Sequence, residues 1–187
     1  MFFFSYVAEM LELSKEQGGF TMSANKVSSK VEGLELIMER SFDAPKELVF
    51  SMFIESDHIT HWWGPIGWDT TVYKMEVKPG GIWHYCMRSP EGQESWGKAV
   101  YREIDPPDRL VYVDAFSDEQ ENEVEDMPMM LIKMDFITEG AGCKVVSATK
   151  FDSQEELQNV IDMQAVDGMN QTYDRLEKYL AELQQAK

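Results

Sequence analysis

The stretch Leu34-Glu-Leu-Ile-Met-Glu-Arg-Ser-Phe-Asp-Ala-Pro45 contains the pattern from which the fold can be inferred. Its side chains alternate between apolar and polar, which predicts a half-buried β-strand. Asp43-Ala-Pro45 then ends the strand and begins a helix whose apolar positions recur at helical spacing. A second short helical turn is expected from Ser56 to about Trp62. Residues 34–62 therefore predict a strand followed by two short helices.

The remainder of the chain continues this order with hairpins and then a long helix. Six more strands are expected between Thr71 and Phe151, separated by turns rich in Pro, Gly and Asp. From about Ser153 the apolar period becomes helical. These elements predict an α+β fold, in which a curved antiparallel sheet wraps around a long C-terminal helix with two short helices after the first strand.

The N-terminal region differs in composition from the remainder of the chain. Residues 1–33 begin with an aromatic segment and continue with a stretch rich in Ser, Gly, Lys and Glu. We expect them to be a non-globular extension and residues 34–187 to form one domain. If Gly18 and Gly19 are encoded by GGA-GGN, a ribosome-binding sequence precedes Met22. A native start at Met22 is therefore a hypothesis.

The charge of the chain limits its possible partners, and its cysteine content indicates the compartment in which it works. Asp and Glu number 34 against 17 Lys and Arg, a net charge of −17, so we expect no nucleic acid partner and no attraction to anionic membranes. Cys86 and Cys143 have no metal-ligand spacing and fit reduced thiols in a cytoplasmic protein. No apolar run reaches the roughly 20 residues that span a bilayer, so no membrane insertion is expected. A monomer or weak dimer is the expected state.

Five segments occur in an order that resembles a known family. They are Phe42-Asp-Ala-Pro45, Trp62-Trp-Gly-Pro65, Gly81-Ile-Trp-His-Tyr-Cys-Met-Arg88, Glu103-Ile-Asp-Pro-Pro-Asp-Arg-Leu110, and Gly168-Met169 before Leu176. Together they resemble the family homologous to the activator of the heat-shock-protein-90 ATPase, within the START-like, SRPBCC superfamily. The resemblance runs from Leu34 to about Leu183 and implies the helix-grip fold. It implies function only broadly, because that scaffold serves lipid carriers, hormone receptors, cyclases, oxygenase domains and chaperone activators.

Aromatic and methionine side chains suggest a cavity between sheet and helix. Trp83, Tyr85 and Met87 share one face of a strand, which we assign to the concave side opposite Met169 and Tyr173. Plain core packing is the alternative. Gly168 would cost the helix about 1 kcal/mol relative to alanine, which indicates close backbone approach, space for a ligand, or a kink. The predicted ligand-binding set is Trp63, Trp83, Tyr85, Met87, Tyr112, Met134, Gly168, Met169, Tyr173 and Arg40.

Arg40 is the polar residue that least fits its position. It is in phase with the apolar residues of its strand and should point inward, where a charge needs a partner. Asp114 is in phase with Tyr112 and Phe116 and could be that partner, which would make a structural ion pair. Alternatively, Arg40 could bind a ligand carboxylate. We favour the structural pair.

Other polar residues give weaker indications of a functional site. His58 and His61 are three residues apart on one helical face, but no third ligand has suitable spacing, so we predict a polar helix end and no metal. The acidic residues between Ser117 and Asp126 are expected to form a solvated loop. The GxSxG elbow, the P-loop, GxGxxG after a strand and HExxH are absent from the sequence, and no cofactor is predicted.

Three functions remain open. The first is non-catalytic binding of an apolar or amphipathic small molecule or lipid in the cavity. The second, implied by the resemblance alone, is interaction with a chaperone through exposed sheet and the Trp62-Trp63 region. The third is an enzyme of cyclase or hydrolase type, for which Arg40 and Asp114 are the ionisable candidates. We favour the first.

Overall fold

The computed structural model describes residues 26–125, 127 and 129–186. These residues form eight strands and four helices. The strands are β1 (Ser28–Glu32), β2 (Glu35–Phe42), β3 (Asp69–Met75), β4 (Ile82–Arg88), β5 (Glu94–Asp105), β6 (Arg109–Phe116), β7 (Met130–Glu139) and β8 (Gly142–Lys150). The helices are α1 (Lys46–Ile54), α2 (Ser56–Trp62), α3 (Gln154–Asp162) and α4 (Ala165–Gln185).

All eight strands belong to one antiparallel sheet in the order β1-β2-β8-β7-β6-β5-β4-β3. Consecutive strands pair as hairpins from β3 to β8, and β2 pairs with the last strand, β8. Helices α1 and α2 connect β2 to β3 at the far edge of the sheet. The predicted helix-grip α+β class, with two short helices after a strand that lies in the sheet, is confirmed.

The alternation predicted for residues 34–42 is present in β2. Its buried positions are Leu36, Met38, Arg40 and Phe42, whereas the residues between them are half-buried. In β4, the side chains are also matched in size to those of the neighbouring strand, and Tyr85 lies opposite Gly97 on β5. A Cβ at Gly97 would come within 2.4 Å of Tyr85 Cζ, so only glycine leaves room for that ring. Small and large side chains are therefore matched across the sheet.

The core lies between the concave face of the sheet and the helices. Edge-to-face ring contacts join α1 to α2 through Phe53 and Trp62 at 4.7 Å, and α1 to β7 through Phe53 and Phe136 at 5.2 Å. Tyr173 of α4 contacts Phe42 of β2 at 5.5 Å. Complete burial of such a side chain stabilises the fold by about 1.5–3 kcal/mol. These rings attach three helices to one face of the sheet.

The boundary expected at residue 33 needs correction. Strand β1 pairs with β2 from Ser28 to Glu32, so the sheet begins inside the segment that we expected to be non-globular. The backbone N–H of Val27 also donates to Asn170 Oδ1 of α4 at 2.8 Å. Sequence reasoning missed β1 because its five residues are all exposed and carry no apolar alternation. The hypothesised start at Met22 lies outside the described residues.

The single C-terminal helix expected from Ser153 is wrong in one respect, because it is divided into α3 and α4. Gln164 between them has a φ of +57° and ψ of 38°, the left-handed conformation that ends helices. Ser153 caps α3 by accepting a hydrogen bond from the Glu156 N–H. An apolar period continues through both helices, so periodicity alone could not locate the break.

The acidic loop between β6 and β7 is more ordered than the solvated loop we expected. Glu121 pairs with Lys74 at 3.1 Å and Glu123 pairs with Lys98 at 3.1 Å. His84 Nε2 lies 2.9 Å from the Asp118 carbonyl oxygen. Residues 117–123 therefore fold back on the outer face of β3–β5, although the carboxylates of Glu121 and Glu123 remain partly exposed.

Candidate functional site

The concave face of β4–β7 carries the polar group that has no counter-charge. Residues opposite one another in an antiparallel pair point to the same side. Ala99 of β5 opposes both Trp83 of β4 and Asp114 of β6, and Asp114 in turn opposes Met130 of β7. Asp114 thus lies on the concave face with Trp83, as its phase in the sequence predicted.

Burial changes along this concave face. At one end Tyr101, Leu110, Met134 and Phe136 are at most 3% exposed. Towards the other end the side chains are half-buried; these are Met87, Asp114, Phe116, Met130 and Ile132. Half-buried apolar residues of α3 and α4, namely Val160, Val166 and Met169, pack against the same core. Solvent therefore reaches the concave face at the end where Asp114 lies.

The Asp114 carboxyl is in an unusual electrostatic environment. Burial raises its pKa to about 7, so it is close to half protonated at neutral pH. Burial also raises the pKa of Tyr85 and of Tyr112 well above the ordinary value, and the negative charge of Asp114 adds to both increases. Among the described residues no cation lies within ion-pair distance of Asp114. The carboxyl therefore lies between aromatic rings with its charge unneutralised.

A second polar group on this face has no partner. Trp83 is 4% exposed, and its indole Nε1–H has no acceptor in the part of the chain that the structure describes. An unpaired buried donor costs about 1–3 kcal/mol. The Trp83 ring stacks on Tyr85 at 4.5 Å and meets Trp63 edge-on at 5.0 Å. This aromatic group surrounds a hydrogen-bond donor that a bound molecule could satisfy.

The structure brings together only part of the predicted ligand-binding set. Trp63, Trp83 and Tyr85 form one group, and Tyr112 lies beside Met134, with its hydroxyl 3.6 Å from the sulfur. Met87 and Met169 are half-buried. Gly168 forms a regular turn of α4, its carbonyl accepting from Thr172 Oγ1 at 3.1 Å. Tyr173 packs instead on the β2 side, beside Phe42 and Trp62.

The predicted partner of Arg40 is wrong. Its Nη2 lies 2.7 Å from Asp174 Oδ1 and 2.6 Å from Glu177 Oε2, both on α4. Asp114 lies three strands away from β2, about 14 Å across the sheet. Asp174 and Glu177 occupy a stripe beside the apolar face of α4, a signal that sequence reasoning overlooked. Arg40 thus makes a structural ion pair with other carboxylates than the one predicted.

Trp62 differs from the expectation of an accessible docking region, and the two histidines next to it pack on Tyr179 of α4. Trp62 is fully buried and donates its indole N–H to the Met52 carbonyl at 3.1 Å, so it cannot form part of an exposed docking face. His58 Nδ1 lies 2.9 Å from the Tyr179 hydroxyl, and His61 stacks on the same ring at 4.6 Å. In the described ranges no three His, Cys, Asp or Glu side chains are grouped to hold a metal ion.

A cleft of about 360 Å³ lies elsewhere, on the outer side of α4. It is lined by His61, Ile66, Gly67, Trp68, Asp69, Arg175, Lys178, Tyr179 and Glu182. Among these, sequence reasoning considered His61 as a metal ligand and counted Trp68 among the aromatic residues that could line a cavity, and it predicted no cleft here. The spacing of Arg175, Lys178, Tyr179 and Glu182 places them on one helical face, which was the available signal. None of the described helices is long and apolar enough to cross a membrane.

Comparison with known proteins agrees with the sequence motifs. A family model described as "Activator of Hsp90 ATPase homolog 1-like protein" matches residues 43–181. A solution structure of a Staphylococcus epidermidis protein is 28% identical with a TM-score of 0.76, covering 83% of this chain and 94% of that one. Protein Ms6760 of Mycobacterium smegmatis is 24% identical with a TM-score of 0.74, covering 84% and 96%. No curated protein matches the sequence.

Proposed function

We propose that this chain, which belongs to the family of activator of Hsp90 ATPase homolog 1-like proteins, binds an amphipathic small molecule on the concave face of its sheet. Membership of the family favours a ligand-binding or chaperone-related role. The observation that carries the proposal is the half-buried Asp114 carboxyl, without a cation, among apolar and aromatic side chains. A filled structural core rarely retains such a group, because burial of an unpaired charge is unfavourable.

The chemistry of this face defines the ligand. Half-buried apolar side chains, among them Phe116, Met130 and Ile132, would contact an apolar body. Asp114 would accept a hydrogen bond from a hydroxyl or an ammonium group, and the free Trp83 N–H would donate to an acceptor on the same molecule. The ligand therefore has an apolar body and a polar end that can donate.

The other candidate roles have less support. A chaperone-related role is typical of the family, but Trp62 is buried, so a docking face would have to consist of other residues. An enzyme using Arg40 with Asp114 is disfavoured because Arg40 is ion-paired with Asp174 and Glu177, away from Asp114. Binding without catalysis remains the function that the geometry supports best.

Methionine methyl groups provide a direct test. In protein labelled with methyl-13C methionine, titration with decylamine, decanol and decanoic acid should shift the signals of Met87, Met130 and Met169. The signal of Met52, fully buried in α1, should not move. We expect decylamine to bind most tightly, because its ammonium group can pair with Asp114. Absence of shifts up to the solubility of all three probes would contradict the proposal.

The variant Asp114→Asn separates the role of the carboxyl from that of the apolar surface. It should weaken decylamine binding about ten- to a hundredfold, since a hydrogen bond to a charged group contributes about 1.5–3 kcal/mol, and should leave decanol nearly unchanged. Asp152→Asn, an exposed site, is the matched control. Equal loss for decylamine and decanol would show that Asp114 does not contact the polar end.

A further inference from the structure

The outer cleft is built from one face of α4 and the loop of residues 63–68 between α2 and β3. Arg175, Lys178, Tyr179 and Glu182 of α4 form one wall, and Ile66, Gly67, Trp68 and Asp69 form the facing wall. Its volume of about 360 Å³ is within the range of small-molecule sites. The cleft is separate from the concave face, because it shares no residue with the group around Asp114.

Arg175 holds the loop by one edge of its guanidinium. Nη1 donates to the carbonyl oxygens of Trp63, Gly64 and Pro65 at 3.2, 3.1 and 2.9 Å, and Nη2 donates to His61 O at 3.3 Å. The Nε–H has no acceptor among the described residues. One hydrogen of Nη2 is also without an acceptor among these residues, and Nε–H together with Nη2 is the fork that can bind a carboxylate with two hydrogen bonds.

The charge of Arg175 is not neutralised by an ion pair. All four of its acceptors are carbonyl oxygens, and no carboxylate of the described chain lies within ion-pair distance of it. Burial lowers the pKa of Arg175, an effect opposed by the more distant charge of Asp69, yet a guanidinium remains charged at neutral pH. A partly desolvated cation thus stands in the wall of a cleft in a protein whose net charge is −17.

The remaining walls are held in place. Tyr179 is fixed by the His58 hydrogen bond at 2.9 Å and by the stack with His61 at 4.6 Å. The loop is fixed by Arg175 and by the Ile66 N–H, which donates to Gln171 Oε1 at 3.4 Å. A site with preset walls loses little conformational freedom on binding. The cleft is therefore organised for a ligand before one arrives.

We propose that the outer cleft is a second binding site, which takes a small organic monocarboxylate with a planar apolar body. The carboxylate binds the free edge of Arg175 and the ammonium of Lys178, and the planar body packs on the Tyr179 ring and Ile66. Asp69 and Glu182 also line the cleft and repel a second negative charge, so a dianion such as phosphate is disfavoured. This proposal is independent of the concave-face ligand.

Benzoate, benzamide and inorganic phosphate are the probes, used with the full 15N-labelled chain. Benzoate should shift the Arg175 Nε–H signal and the amide signals of Gly67 and Trp68. Benzamide, the neutral isostere, should bind at least about tenfold more weakly, because it lacks the charge that the guanidinium recognises. Equal affinity of benzoate and benzamide, phosphate binding as tight as benzoate, or benzoate shifts confined to the concave face would each overturn the proposal.

Variants at exposed positions of the cleft keep the fold intact. The Lys178 Nζ lies 4.0 Å from Glu182 Oε1, an exposed pair that holds the ammonium only weakly. The Lys178 side chain is 67% exposed, so Lys178→Gln should fold normally and should weaken benzoate binding about threefold. Lys133→Gln removes the same charge from an exposed site on β7 and should have no effect. Asp69→Asn should strengthen benzoate binding and raise phosphate affinity. If Lys178→Gln binds benzoate as the unchanged protein does, the cleft does not recognise carboxylates as proposed.

Discussion

Two arginines connect α4 to the rest of the domain, and their environments differ. Arg40 reaches from β2 to α4, is 1% exposed, and pairs with the carboxylates of Asp174 and Glu177. Arg175 reaches from α4 to the loop after α2 and donates only to carbonyl oxygens. The charge of Arg40 is neutralised inside the protein, whereas the guanidinium of Arg175 keeps hydrogen-bond donors without an acceptor at a cleft.

This difference separates a structural role from a binding role. A buried cation that has its own carboxylates offers nothing to a ligand, and removal of either partner leaves a charge stranded in the interior. A cation held by carbonyl oxygens keeps its charge available. The same contrast applies to the acids, since Asp174 has Arg40 while Asp114 has no cation.

The largest expected effect is that of Arg40→Leu. It leaves Asp174, whose side chain is 3% exposed, without its cation and should lower the free energy of unfolding by about 3–5 kcal/mol in urea titrations. The double variant Arg40→Leu with Asp174→Leu should recover much of this loss. Arg109→Leu, which breaks an exposed pair with Asp135, should change stability by less than about 1 kcal/mol. Similar losses of unfolding free energy for Arg40→Leu and Arg109→Leu would show that the buried ion pair contributes no more to stability than the exposed one.

The second effect depends on pH and concerns Asp114. Its folded pKa of about 7 lies above the unfolded value of about 3.9, so its contribution to stability is complete below pH 4 and is lost as pH rises through 7. Asp114→Asn cannot ionise. Between pH 4 and pH 8, the free energy of unfolding of the variant should therefore rise by about 2–4 kcal/mol relative to that of the unchanged protein, as measured by urea unfolding. A difference independent of pH would mean that the Asp114 carboxyl is not desolvated.

A smaller loss is expected for Arg175→Leu. The variant removes four hydrogen bonds but strands no buried charge, and water can replace the guanidinium at His61, Trp63 and Pro65, which are not fully buried. We expect a loss of about 1.5–3 kcal/mol, with faster amide hydrogen exchange at Ile66 and Gly67. Arg102→Leu, at an exposed site on β5, is the control. A loss equal to that of Arg40→Leu would show that Arg175 also neutralises a buried charge.

The smallest effect tests how the wall of the cleft is held. Tyr179→Phe removes the hydroxyl that meets His58 Nδ1 but keeps the ring stacked on His61. Stability should fall by about 1 kcal/mol, the usual contribution of one hydrogen bond. Benzoate affinity should fall in parallel if the ring orientation matters. Unchanged stability and affinity would show that the stack alone positions Tyr179.

Much of the fold could be predicted from the sequence, because strand alternation reports which side chains face the core. The alternation in β2 placed Arg40 inside, and the phase of β6 placed Asp114 on the concave face. Strand β1 escaped prediction because its side chains are all exposed, so that only its pairing with β2 defines it. The break at Gln164 escaped because a left-handed backbone residue leaves the apolar period unchanged.

The candidate sites were predictable only in part. Trp63, Trp83 and Tyr85 were expected together and lie together, whereas Tyr173 was expected with them and packs beside Phe42. The outer cleft was not predicted. It depends on Arg175 meeting a loop more than a hundred residues earlier in the chain, and periodicity says nothing about which distant segments meet.

The sequence by itself determined the fold class, the family and the side of the sheet on which Arg40 and Asp114 lie. The spacing of apolar residues is a local property, and it follows from the need to bury one face. Only the tertiary structure decided which charges meet: Arg40 with Asp174 and Glu177, Asp114 with no cation, and Arg175 with carbonyl oxygens. Partners are set by how α4 packs across the sheet, which depends on contacts between segments far apart in the chain.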